Sequence, residues 1–200
     1  MNISLIEQHP LKPFLPVHAR VLLLGSFPPP QSRWSMNFFY PNIQNDMWRI
    51  MGLIFYHDPL HFVTGKKFDE EKVRKFCYEE GIALMDTALA VIRKNNNASD
   101  KFLEMITPVD LASILTKIPG CNKIAVTGQK SAEILMSILE ANKEFHKPLH
   151  LPSPGTCISF QFKERPLWLY RMPSSSRAYP KPLQEKAEMY RALFREKKSP

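Results

Sequence analysis

Four short, mostly apolar runs punctuate the chain. One lies within Ala19 to Phe27 and contains Val21-Leu22-Leu23-Leu24, and the others are Ile82 to Met85, Ile124 to Thr127 and Leu167 to Met172. A brief apolar run closed by glycine, proline or polar residues suits a strand buried on both faces. Between them the period changes. Phe68 to Glu80 places Val73, Phe76 and Cys77 at helical spacing, and Pro108 to Ile118 does the same with Leu111, Ile114, Leu115 and Ile118. Gly128 to Asn142 carries Leu135, Ile138 and Leu139 on one side, and Leu183 to Lys197 aligns Leu183, Ala187, Tyr190 and Phe194. A further helix starts near Asp46 and turns Trp48 toward the core. Strands alternating with helices predict an α/β chain, a three-layer α/β/α sandwich with a mainly parallel central sheet. The 200 residues and 44% hydrophobic content suit a single domain spanning 1–200.

In such a sheet, ligands bind beyond the carboxyl ends of the strands. The chemistry-bearing residues fall there. Gly25-Ser26-Phe27-Pro28-Pro29-Pro30 ends the first run, Asp86-Thr87 the second, Thr127-Gly128 the third and Pro173-Ser174-Ser175-Ser176 the last. After the proline turn comes Phe38-Phe39-Tyr40-Pro41-Asn42-Ile43-Gln44-Asn45-Asp46-Met47-Trp48-Arg49. Aromatics set beside paired amides suit a flat polar ring, and this stretch reads as a base pocket.

Charge sharpens that reading. Lys and Arg number 27 against 19 Asp and Glu, a net charge of +8, with a pI near 9.4. Such a balance favours a polyanionic partner. Arg33, Arg49, Arg165, Arg171, Arg177 and Lys181 fall near loops or strand ends that carry the other polar signals. Cys77, Cys121 and Cys157 form no Cys-x-x-Cys pair, and Pro59 separates His57 from His61, so no metal is assigned. No stretch approaches the ~18 apolar residues of a membrane span. Glu7, Lys12 and the prolines of Met1 to Pro16 interrupt any secretion signal, so the expected location is cytoplasmic. Asn97-Ala98-Ser99 therefore reads as a polar loop rather than a glycosylation acceptor, and Lys94 to Asp100 and Ser199-Pro200 are the segments expected to move.

Gly25-Ser26-Phe27-Pro28, Tyr40 to Arg49, Gly81-Ile82-Ala83-Leu84-Met85-Asp86 and Met172-Pro173-Ser174-Ser175-Ser176 resemble, in order, the motifs of the uracil-DNA glycosylase superfamily. The hypoxanthine-DNA glycosylase-like branch is the nearest in pattern, and the mismatch-specific uracil/thymine enzymes are more distant. The resemblance runs from about residue 20 to residue 195 and rests on the order of several short motifs. It implies hydrolysis of the N-glycosidic bond of a deaminated base, hypoxanthine or uracil, in DNA by a monomer without a cofactor.

In the wider superfamily the third residue of the Gly-x-x-Pro motif is often an Asp or Asn that positions water. Here it is Phe27. The hypoxanthine-type pattern shifts the task to an Asn before the Trp, which is Asn45, with Asn42 and Asp46 as substitutes. Asn45 is also a natural helix cap. By the same resemblance Tyr40 stacks on the flipped base, with Phe39 as substitute, and Ser26, Phe27 and Asn42 complete the base site. Ser174, Ser175, Ser176, Arg177 and Tyr179 form the loop that contacts DNA and holds the duplex open. Met172 stands where uracil enzymes often carry His or Asn.

The chemistry suits these side chains. Breaking the bond builds positive charge on the sugar and negative charge on the departing base. A placed water and an amide carbonyl to orient it then suffice, without a strong base. Ser26 as the nucleophile of a serine hydrolase lacks both a Gly-x-Ser-x-Gly elbow and a placed His. Neither a Gly-x-x-x-x-Gly-Lys nor a Gly-x-Gly-x-x-Gly occurs, which disfavours nucleotide cofactors. Asp86 reads as a structural hydrogen-bonding group. A second reading, of another class, is a DNA- or nucleobase-binding module that has lost efficient chemistry.

Overall fold

The computed structural model describes residues 5–94, 100–146 and 150–195. Most of the loop read from Lys94 to Asp100, with its Asn97-Ala98-Ser99, and the Ser199-Pro200 end lie outside the described residues. The strands are β1 (Ile6–Gln8), β2 (Val21–Gly25), β3 (Val63–Thr64), β4 (Lys67–Phe68), β5 (Ile82–Asp86), β6 (Ala88–Arg93), β7 (Leu103–Pro108), β8 (Lys123–Thr127), β9 (Phe145–His146), β10 (Thr156–Phe162) and β11 (Arg165–Met172). The helices are α1 (Met47–Tyr56), α2 (Glu70–Glu79), α3 (Leu111–Lys117), α4 (Gln129–Ala141) and α5 (Leu183–Arg191).

The central sheet runs β5-β2-β8-β11-β10-β9, with β5, β2, β8 and β11 mutually parallel and β10 antiparallel to both its neighbours, β11 and β9. The four predicted strands are these four parallel ones. Leu22 pairs with Ala83 on one side and Ile124 on the other, and Ile124 pairs in turn with Leu169. Every residue of β2, β5 and β8 is buried, which is why each reads as an unbroken run rather than an alternation. Helix α2 packs by β5 and α4 by β8, while α1 and α5 lie against each other. The sheet is mostly parallel and helix-covered, the expected α/β architecture.

Local chemistry sets the helix boundaries. Asp69 and Asp110 cap α2 and α3, accepting the amides of Lys72 at 3.1 Å and Ser113 at 2.9 Å. Glu70 and Glu71 add negative charge at the first turn of α2. Helix α5 ends at Arg191, short of the expected Lys197, because the chain there tightens into turns through Leu193 and Phe194. The Lys123 ammonium, on the first residue of β8, donates to the carbonyls of Leu193 and Arg195 at 2.8 Å each and holds that end to the sheet.

A second sheet was not foreseen. β1, β6 and β7 form an antiparallel triplet, and only Thr87 separates β5 from β6. The Thr87 amide and hydroxyl both bond to the Gly25 carbonyl, at 2.8 and 3.0 Å, and this pins the corner where the chain leaves one sheet for the other. On the outer side of β5, Phe14 makes an isolated antiparallel bridge to Leu84, exchanging bonds of 3.0 and 2.8 Å.

Trp48 is 1% exposed on α1 and donates its indole N–H to Phe39 O at 3.1 Å, so it is a core residue as expected. Leu23 lies at the centre of β2 and is fully buried. Leu23→Ala is expected to cost about 2–5 kcal/mol, as buried leucine truncations do. The midpoint of urea unfolding measures it, and a loss within about 0.5 kcal/mol of zero contradicts a close-packed centre.

Candidate functional site

In the four parallel strands the order reverses beside β2: β5 follows it in the chain on one side and β8 takes the other. This is the switch point where such sheets open a crevice. The Tyr40 phenol reaches into it. Its OH lies 2.9 Å from Thr127 Oγ1, and the Thr127 hydroxyl donates to Leu24 O at 3.3 Å, so the phenol is the donor to Thr127. Tyr40 has φ 51°, a left-handed conformation uncommon for a bulky residue, and its ring meets Trp48 edge-on at 6.1 Å. Burial, followed by the negative charge of Asp86, pushes the Tyr40 phenol well above its ordinary value.

Gly25 closes β2 because no side chain fits there. A Cβ would overlap the Asp86 carboxylate and come within 3.4 Å of the Tyr40 hydroxyl. Asp86 accepts at 3.0 Å from Nε2 of His9, whose side chain is 2% exposed and whose other ring nitrogen lies at the Leu11 backbone. Ser26 Oγ donates to Asp100 Oδ1 at 2.9 Å. Burial raises the Asp100 carboxyl above the usual carboxylate range, opposed by the Ser26 bond. Asp86, read from sequence as structural, is bonded inward to His9. Phe27 is buried, its ring perpendicular to that of His9 at 5.3 Å, and the Arg93 guanidinium lies 5.8 Å from its ring. It also lines a cavity of about 240 Å³ with Pro28, Pro29, Pro30 and Trp34. A larger depression, about 550 Å³ along α2, is lined by Phe14, Arg74 and Tyr78 and lies away from these strand ends.

The amide-rich turn stands beside the loop after β11. Asn42 Oδ1 accepts from Gln44 N–H at 2.9 Å, and Asn45 Oδ1 from Met47 N–H at 2.8 Å. Asn45 is thus a helix-start residue, with its carboxamide fixed at the amino end of α1. Asn45 forms an isolated bridge with Ser176, and Asp46 N–H donates to Ser175 O at 2.8 Å. Asp46 is buried and ion-paired, with Lys186 Nζ at 3.0 Å and Arg177 Nε at 3.5 Å.

In that loop Ser176 and Arg177 are exposed, Ser174 and Tyr179 half-buried, and Ser175 is 3% exposed with its carbonyl turned to Asp46. Ser174 Oγ accepts the Ser176 amide at 3.2 Å and Ser176 Oγ the Ala178 amide at 3.3 Å. Gly128, at φ 132°, brings the start of α4 against Ser174, 3.6 Å from where a side chain would begin. Met172 is core, at 1% exposure.

The basic residues divide. Arg177 is exposed at this edge, and Arg49 donates to Ile43 O and Asn45 O at 2.7 and 3.1 Å beneath it. Burial and the Arg177 charge lower the Arg49 guanidinium from its ordinary value. Arg171 bonds Pro152 O and Gln129, and Lys181 pairs with Glu185. Arg165 lies at the opposite end of β11, bonded to Pro119 O and Leu115 O, away from the other site residues. His61 stacks on Tyr56 at 3.6 Å, and no metal-binding group of three His, Cys, Asp or Glu occurs among the described residues. Among those residues no helix is long and apolar enough to cross a membrane.

Sequence reasoning missed His9, Asp100 and Lys186. His9 follows a three-residue strand too short to show a period, and Asp100 sits in an amide-rich loop. Lys186 did leave a signal. It lies three residues after Leu183 and four before Tyr190, inside the apolar stripe of α5.

The raised phenols make stability pH-dependent. The folded chain holds the Tyr40 proton more tightly than the unfolded chain, as it does for buried Tyr190. Their contribution is complete below the ordinary phenol value of 10.0 and is lost as pH rises beyond it. Tyr40→Phe is expected to cost about 0.5–1.5 kcal/mol near neutrality and to shrink the alkaline loss. Denaturant midpoints on both sides of that value check this, and an unchanged alkaline slope in the variant contradicts it.

No protein-family model matches the chain, and no curated protein matches it. Among solved structures it is similar to the solution NMR structure of a "putative Uracil DNA glycosylase" from Methanosarcina acetivorans. The TM-score is 0.64 and the sequence identity 21%, over 95% of this chain and 97% of that one. The chain shares the fold of that structure over nearly its whole length.

Proposed function

We propose that the chain is a monofunctional DNA glycosylase, acting in the cytoplasm as a monomer without a cofactor. It flips a deaminated base, hypoxanthine or uracil, from the duplex and hydrolyses the N-glycosidic bond by water attack at C1′. The observation that supports this reading most directly is the backbone bridge between Asn45 and Ser176, which brings the Asn45 turn beside a loop with exposed polar residues. The shared fold supports it.

In this reading the bond that fixes Asn45 at the start of α1 and the catalytic carboxamide are one arrangement. A carbonyl oxygen has two lone pairs, so the Met47 amide fixes the Asn45 rotamer and leaves Oδ1 a second acceptor site for water. The sugar cation is electrophilic enough that orientation suffices, and a fixed carboxamide spends no reorganisation at the moment of attack. Ser26, Phe27, Tyr40 and Asn42 border the base. Ser174 and Ser176 each accept a backbone amide, which leaves their hydroxyl protons for phosphate oxygens. Ser175 enters as the anchor of the loop rather than as a contact. Arg177 or Tyr179 occupies the space that the base vacates, offsetting a flipping cost of a few kcal/mol.

A binding module with little chemistry is the second reading. It is favoured by Phe27 and Met172, which are buried at 8% and 1% exposure and bring no polar group where related enzymes have one. Labelled oligonucleotides carrying uracil, hypoxanthine, xanthine or a thymine mismatch, treated with alkali after incubation, distinguish the two. Cleavage of at least one deaminated lesion is expected, with Asn45→Ala losing about 10²-fold or more of it while still binding DNA. Survival of every lesion at stoichiometric protein overturns the catalytic reading. DNA affinity is expected to fall steeply as salt rises, because Lys and Arg contacts release counterions. A flat salt titration contradicts a phosphate-binding edge.

A further inference from the structure

Lys186 is a buried cation that the proposed chemistry leaves unused. It is 0% exposed, and its ammonium donates to Asp46 Oδ2 at 3.0 Å and to Ser176 O at 2.8 Å. These two acceptors belong to different segments, one being the residue after Asn45 and the other the residue bridged to Asn45. Four residues on, the Tyr190 hydroxyl donates to Pro173 O at 2.8 Å, so α5 grips the loop at its first residue and at its crest. Asp46 N–H to Ser175 O completes the junction.

A lysine is not needed to fill this space, since an apolar side chain does that without desolvating a charge. What it supplies is direction, a short charge-assisted bond to each of two turns. Arg177 also faces Asp46, but at 3.5 Å and 55% exposed, so it can leave for a phosphate without stranding the carboxylate. Lys186 remains as the counter-ion.

We infer that Lys186 is a positioning residue that locks the Asn45 turn and the 174–179 loop into one unit, so that engagement of DNA by the loop fixes the carboxamide for attack. The catalytic half of this inference rests on the glycosylase reading.

Four experiments test it. In hydrogen exchange, Lys186→Met is expected to deprotect 42–48 and 174–179 together, and deprotection of the loop alone overturns the lock even if the chain cleaves nothing. In single-turnover cleavage of the lesion the wild type favours, Lys186→Met is expected to lose about a hundredfold in rate with a much smaller change in DNA affinity. In an Asn45→Ala background the same change is expected to cost nothing further, because both act through one carboxamide. Independent, multiplying losses mean that Lys186 merely stabilises the fold. Since Lys186→Met strands a buried carboxylate, Asp46→Asn/Lys186→Met is the companion variant. It is expected to recover melting temperature while staying slow, and recovery of the rate as well overturns the inference. A wild type that cleaves no lesion removes the glycosylase reading and the catalytic half with it, while the exchange result still decides the lock.

Discussion

Parallel strands cannot be joined by tight hairpins, so β2, β5 and β8 must each hand the chain to a crossover at the same edge of the sheet, where β11 also ends. That constraint collects the polar chemistry of this molecule. At each exit the backbone leaves a largely buried ladder and must find new partners, and the residues that provide them are specific. Thr87 takes the Gly25 carbonyl, Thr127 takes the Leu24 carbonyl, and Tyr190 takes the Pro173 carbonyl. The groups that satisfy the exits are also those nearest the crevice, so the fold and the candidate site share side chains.

The parallel half of the sheet was readable because burial on both faces leaves runs that nothing else explains, as in Val21 to Leu24 and Ile124 to Val126. The antiparallel parts were not. β1 and β9 span three and two residues, too short for alternation, and β6 follows β5 with only Thr87 between them, so the sequence does not announce a change of sheet. The helices were legible from spacing, with ends uncertain where turns continue a helical pattern, as after Arg191.

The site was legible in its loops and opaque in its supports. Ser26, Tyr40, Asn45 and the serine loop stand out because small, aromatic and amide residues cluster at strand ends. The supports lie far off in sequence: His9 is 77 residues from Asp86, Asp100 is 74 from Ser26 and Lys186 is 140 from Asp46. Only the fold brings such residues together. Asp46 illustrates the difference: by spacing alone it is equivalent to Asn45, whereas in three dimensions two cations pair with its carboxylate, while the Asn45 carboxamide accepts the Met47 amide.

The single bridge between Phe14 and Leu84 has a consequence for the molecule in company. β5 is the outermost parallel strand, and a bare flank there is a template on which another chain can add. Pro13 and Pro16 bracket Phe14, and proline lacks the amide that a ladder needs, so the guard segment covers the flank without becoming a strand able to recruit one. Crowded solution is where this matters, because it discourages sheet-to-sheet growth on that side of the protein.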